Sequence, residues 1–277
     1  MKLDAVTLPI EPRTVGSCID LAVALYRTHS IGILWLNLLF GAPAILGAYW
    51  LTKTSEWGWL WSGLLFLLLS PFLGAALVAG AGHRVFGEPF EVGNAVRISA
   101  SRWPSLAFLV GGSRLLLVAF SFVCLGFPVA PMAVAVRFGF LPEILVLERL
   151  SVSAADRRML ELLRYSYWKT MGRGLAVGCF AAALSLDLFT LIDVGSQTLF
   201  GHPLFLGRVS WMQFPEESLQ LLLGDPGVVA AWSLSLWLIY PLARLAWFLC
   251  YLDTRIRKEG WDLEIAFRLE AQRLSRS

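Results

Sequence analysis

The sequence predicts an all-α fold: a polytopic membrane protein of six transmembrane helices, with amphipathic interfacial helices on the cytoplasmic side. Three observations predict it. Residues 31–51 and 57–82 contain no charged side chain, and each run is as long as the roughly 20 residues that cross a bilayer core of about 30 Å. The 277-residue chain is 57% hydrophobic and 16% charged, with a mean hydropathy of +0.66, whereas an ordinary soluble domain carries about 25% charged residues. The basic residues are gathered in alternate connections. No separate soluble domain fits between the runs, so residues 1–277 read as one integral membrane domain.

The elements follow in order. Val15, Cys18, Ile19, Ala22, Val23 and Tyr26 recur at the spacing of one helical stripe and predict an amphipathic helix ahead of the first span. Asp4, Glu11, Asp20 and two prolines in the first 30 residues do not suit a cleavable signal, so the first span is expected to stay as an anchor. Spans are predicted over about 31–51, 58–82, 104–125, 127–147, 174–194 and 226–251. The third and fourth are separated by Gly126, Pro128 and Pro131, because proline cannot donate a helical hydrogen bond. Val92-Gly93-Asn94-Ala95-Val96 resembles Val15-Gly16-Ser17-Cys18-Ile19 in type, and a third amphipathic segment begins at Val152. Ser153 and Asp156 there have capping-box spacing, with Arg157, Glu161 and Arg164 as a charged ladder. The pattern reads as an interfacial helix plus a membrane hairpin used three times, or simply as amphipathic connections.

In the outer connection, Pro215, Glu216 and Glu217 followed by a leucine run predict a short surface helix. Asp225-Pro226 is an N-cap with proline at the first helical position. The last helix is expected to run through Glu259 and stop at Gly260, followed by a cytoplasmic tail over 252–277 with an interfacial helix carrying Leu263, Ala266, Phe267 and Leu274.

Basic residues set the orientation, since short cytoplasmic segments keep an excess of Lys and Arg. Of 23 such residues, 18 fall before the first span, after the second and fourth, and in the tail; the opposite side holds only Lys53 and Arg208. Both termini are therefore expected in the cytoplasm. Tryptophans cluster near both predicted interfaces, as an aromatic belt does. Arg157, Arg158, Arg164, Arg255, Arg257 and Lys258 are the expected contacts to anionic lipid headgroups.

The ionisable residues within spans include Arg114, Arg137, Glu143, Asp187 and Arg244. Each is costly in hydrocarbon unless partnered. Depths counted at about 1.5 Å per residue predict that Asp187 pairs with Arg114 or Arg137, and Glu143 with Arg244. Such groups line a polar path or fix helix register, and the absence of an accompanying polar stripe favours register. Gly111, Gly112, Gly174 and Gly178 suit close helix packing, and Pro43, Pro71 and Pro241 are expected to kink their spans.

Catalytic chemistry finds no constellation. His29, His83 and His202 have neither a metal-ligand spacing nor a nearby nucleophile. Cys18, Cys124, Cys179 and Cys250 include no CxxC pair, so no disulfide, metal or cofactor is expected. Neither a nucleotide fingerprint nor a basic domain points to nucleic acid.

The stretch Tyr251-Leu252-Asp253-Thr254-Arg255-Ile256-Arg257-Lys258-Glu259-Gly260-Trp261-Asp262-Leu263-Glu264 and the segment from Leu141 through Glu148 to Trp168 resemble bacterial multi-pass proteins related to the membrane domain of glycerophosphoryl diester phosphodiesterase. That resemblance implies six inner-membrane helices with no assigned chemistry, since catalysis in fused members resides in a separate soluble barrel. The expected function is a non-enzymatic accessory or scaffold protein organising a membrane or cytoplasmic partner at the cytoplasmic face. The alternative is a transporter or lipid-handling carrier with a polar path lined by Arg114, Arg137 and Asp187.

Overall fold

The computed structural model describes residues 13–85, 89–123, 129–209 and 214–259, and every regular element among them is helical. Helix α1 (Val15–Thr28) begins where the Thr14 hydroxyl accepts the Ser17 N–H at 3.3 Å, satisfying one of the donors that a helix start leaves open. Its stripe buries Cys18 and Ala22, and the helix packs chiefly on the last of the described helices. Part of the apolar face predicted for α1 is thus spent on protein.

Helices α2 (Ser30–Thr54) and α3 (Gly58–Val85) form a hairpin. Two more long helices follow later, α10 (Tyr167–Phe200) and α12 (Pro226–Glu259). These four are long and apolar enough to cross a membrane. Helix α12 is the hub: α1, α2, α3 and α10 all pack on it. Its inner face, with Trp237, Phe248, Leu249 and Tyr251, joins Leu73 and Leu77 of α3 in one core. A smaller cluster of Phe189, Phe205, Val228 and Ala231 closes the opposite end.

The third apolar run is one unbroken helical path built in three pieces. Helix α5 (Trp103–Ser105) leads into a wide π turn (Leu106–Gly111) and then α6 (Gly112–Val123). It is ushered in by α4 (Val92–Ser101), which packs on α3 through the Ser99 hydroxyl and the Phe72 carbonyl, 3.0 Å apart.

The fourth run is not one helix. It starts as α7 (Val129–Phe138), turns at residues 139–140, and resumes as α8 (Leu141–Glu143) and a second π turn (Ile144–Glu148). Pro142 explains the restart, because its missing N–H is harmless only in a helix's first turn. Gly139 explains the bend: a Cβ there would lie 2.8 Å from the Trp247 ring, and its carbonyl accepts the Trp247 indole N–H at 2.9 Å. Leu141 to Val146 is wholly buried, so this second half is core rather than surface. Arg149 then turns the chain in the left-handed region at φ 53°.

The N-cap position of helix α9 (Val152–Leu163) is Ser151, not Ser153, with no side-chain capping bond, and Asp156 is engaged elsewhere, so the expected capping box does not form. Helix α11 (Phe214–Gly224) is the predicted surface helix, and α12 starts as predicted: the Gly227 and Val228 N–H groups donate to Asp225 Oδ1 at 2.9 and 3.1 Å. The expected tail helix after Gly260 lies outside the described residues.

Candidate functional site

Pro71 sits inside α3 and Pro241 inside α12. Each lacks the N–H that would otherwise bond the carbonyl four residues earlier, which frees Leu67 O and Trp237 O. Both are met by a side chain from another helix. Arg114 Nη1 donates to Leu67 O at 3.3 Å, and Asn37 Nδ2 donates to Trp237 O at 2.8 Å. The Arg114 guanidinium also bonds the Ser70 hydroxyl and reaches Tyr240 Oη at 3.3 Å. Tyr240 in turn donates to the Ser70 carbonyl at 2.7 Å. Arg114 is thereby fastened to the turn of α3 that precedes Pro71 by neutral oxygens.

One turn further along α3, Arg244 Nη2 lies 2.6 Å from Oε1 of Glu143, which is fully buried. This is the pair predicted from depth. Gly74 makes room for it, since a Cβ at that position would stand 2.5 Å from Tyr240 Oη and 3.2 Å from Arg244 Nε. In an interior of low dielectric, removing either partner would strand an uncompensated charge.

Asp187 does not form the predicted pair. Arg137 is taken by Asp156 of α9, at 2.6 Å, and Arg114 is bound as above. The reason is azimuth: Asp187 lies two residues beyond buried Ser185 and two before buried Phe189, and each residue turns about 100° around the axis. Its carboxylate therefore points away from the bundle. Arg114, Arg137 and Asp187 are not brought together around one path.

At the basic end, the α12 terminus is laced to its neighbours. Arg158 bonds Glu148 at 3.1 Å and also Glu259, and Tyr251 donates to Glu148 at 2.7 Å. Arg255 holds Glu259 at 2.7 Å. Nearly buried Asp253 accepts from Arg173, from Arg257 at 2.9 Å and from the Arg13 N–H at 2.6 Å. Lys258 donates to the Glu161 carbonyl at 2.9 Å, and Arg164 lies over the Tyr165 ring. Of the six residues expected to meet lipid headgroups, Arg157 is exposed and carries no such contact among the described residues. Burial, with Arg84 nearby, lowers the pKa of His29, whose ring stacks on Phe90.

At the opposite end, Asp193 escapes sequence reasoning although it stands in the fifth predicted span. Nearly buried, it accepts the N–H groups of Leu204, Phe205 and Leu206 at 2.7 to 2.8 Å, folding the loop back over α10. Arg208 reaches Asp225 at 2.6 Å. Burial acts to raise the Asp225 pKa, but the Arg208 hydrogen bond and the helix-start amides outweigh it and hold the carboxyl below its usual range. Between α3, α10, α11 and α12 lies an apolar cavity of about 490 Å³, walled by Trp59, Phe66, Phe189, Phe205 and Trp232.

No protein-family model matches the chain, and no curated protein or solved structure matches it either.

Proposed function

We propose that the chain is a non-enzymatic, multi-pass protein of a bacterial inner membrane that organises or anchors a partner protein. Six spans are read from the four long helices together with the α5–α6 path and the broken α7–α8 path, with both termini in the cytoplasm. Kinship with the membrane domains of the phosphodiesterase-related family is part of the same reading.

One observation carries it: the ionisable groups at membrane depth on α6, α8 and α12 are consumed by the fold. Arg114 is fixed to Leu67, Ser70 and Tyr240, and Arg244 to Glu143. Charges that hold helices in register are not free to pass a solute. The basic end, although its α12 terminus is also ion-paired, leaves Arg157, Arg164 and Lys169 exposed, where they suit anionic lipid and a cytoplasmic protein.

A lipid-handling carrier is the second reading, favoured by the 490 Å³ apolar cavity. Reconstitution into liposomes separates the two. The scaffold reading expects flux of labelled lipid and small solutes no faster than in protein-free vesicles. Flux that depends on Arg114 or on the cavity residue Phe189 overturns it. Cysteine labelling after residue 252 from the cytoplasmic side only is the expected topology.

A further inference from the structure

We propose that the outward face of α10, centred on Asp187, docks a transmembrane helix of another protein that carries a lysine or arginine at the same depth. Asp187 is exposed in the middle of an apolar helix that presents Leu175, Leu186 and Leu191 to its surroundings. By rise per residue it lies about 21 Å beyond Arg173 and about 9 Å before Asp193, inside the stretch bounded by those two anchors. Its carboxylate has no hydrogen bond or ion pair among the described residues; only its backbone carbonyl is used, by Thr190 Oγ1 at 2.8 Å.

A carboxylate facing lipid at this depth is unfavourable without a partner, and the described residues offer none. Arg114, Arg137 and Arg244 are bound to other groups, and residues 115–136, which complete the neighbouring α6–α7 hairpin, contain no charged side chain. The surface around Asp187 is shaped for a helix. Ala176, Ala183, Asp187, Thr190 and Val194 are all exposed and recur at alternating steps of three, four or seven, the seam of a left-handed helix pair. Alanines at two of those positions permit close approach, and threonine adds a hydrogen-bonding group. Charge complementarity selects the occupant: a second copy packed symmetrically would set Asp187 against Asp187, whereas a cation completes the pair. The inference rests on the membrane reading above and gives it a partner surface.

The test uses the full-length protein in phosphatidylcholine liposomes with a synthetic Leu/Ala transmembrane peptide bearing one lysine a third of the way in from its outer end. Energy transfer between labelled protein and peptide reports association, with an otherwise identical all-Leu/Ala peptide as control. The expected result is association of the lysine peptide at least tenfold tighter than the control, with the difference lost in Asp187→Leu. An equal response to both peptides overturns the proposal, as does a preference that survives Asp187→Leu. Asp187-dependent association between two labelled copies overturns it in favour of self-assembly. Asp187→Leu is expected to melt with the native protein, since no internal contact is lost; a lowered melting temperature assigns the residue to the fold instead. Alkaline carbonate extraction comes first: release from the bilayer sinks the membrane reading, whereas retention without lysine preference sinks only this one.

Discussion

Arg114 donates to the carbonyl of Leu67, the acceptor that Pro71 leaves without its helical partner. In water such a carbonyl is satisfied at no cost; in hydrocarbon it must be met by protein. Asn37 does the same for Trp237 ahead of Pro241. Two helices that proline would weaken are thus joined to their neighbours at those same points.

Arg114→Leu is expected to destabilise the protein by about 1–3 kcal/mol, the cost of stranding buried acceptors. Pro71→Ala returns an N–H to Leu67 O, so the Arg114→Leu penalty is expected to shrink in the Pro71→Ala background. A double-mutant cycle by thermal melting in detergent measures it. Equal penalties in both backgrounds count against the assigned role of Leu67 O.

Glu143→Gln leaves Arg244 charged and buried without its partner, and is expected to cost about 3–5 kcal/mol. Replacing both residues by methionine is expected to cost less than the single change, because no stranded charge remains. Chemical unfolding of the native chain and the two variants ranks them.

Gly74→Ala puts a methyl group 2.5 Å from Tyr240 Oη, and overpacking of this kind costs about 1–3 kcal/mol. Gly112→Ala, on α6 with open space around the position, is expected to change the melting temperature little. The contrast isolates the Tyr240–Arg244 layer from a general intolerance of alanine.

Asp225 couples the outer loop to pH. Its folded pKa lies below the usual carboxylate value, so its contribution is fully present above the unfolded value of about 3.9. It is lost as pH falls through the folded value, when protonation ends the Arg208 pair and weakens the α12 cap. Asp225→Asn is therefore expected to be less stable than the native chain at neutral pH. Thermal melts at falling pH then show the two converging below about pH 4.

What could be read from sequence divides along a physical line. Asp225-Pro226 was legible because capping is decided within four residues. The Glu143–Arg244 pair was legible from depth alone, since both ends face the core. Asp187 was misassigned for want of azimuth: Ser185 and Phe189 mark the packed side of α10, and sequence depth says nothing of which side that is. The bend at Gly139–Pro142 had its signal in the sequence, a glycine followed by a proline, yet a long apolar run masked it. The partners of Leu67 O and Trp237 O are backbone groups whose freedom follows from Pro71 and Pro241, but which neighbour answers is set only by packing. Asp193 is invisible in the same way, because its partners are amides of a loop eleven to thirteen residues on.

The Asn37–Trp237 bond joins residues 200 positions apart, and the Arg13–Asp253 bond joins residues 240 apart. During translation α2 is therefore made well before α12, and Asn37 lacks this acceptor until α12 leaves the ribosome. Helix α12 is the keystone, and truncations ahead of it leave α1, α2, α3 and α10 without the member around which they close.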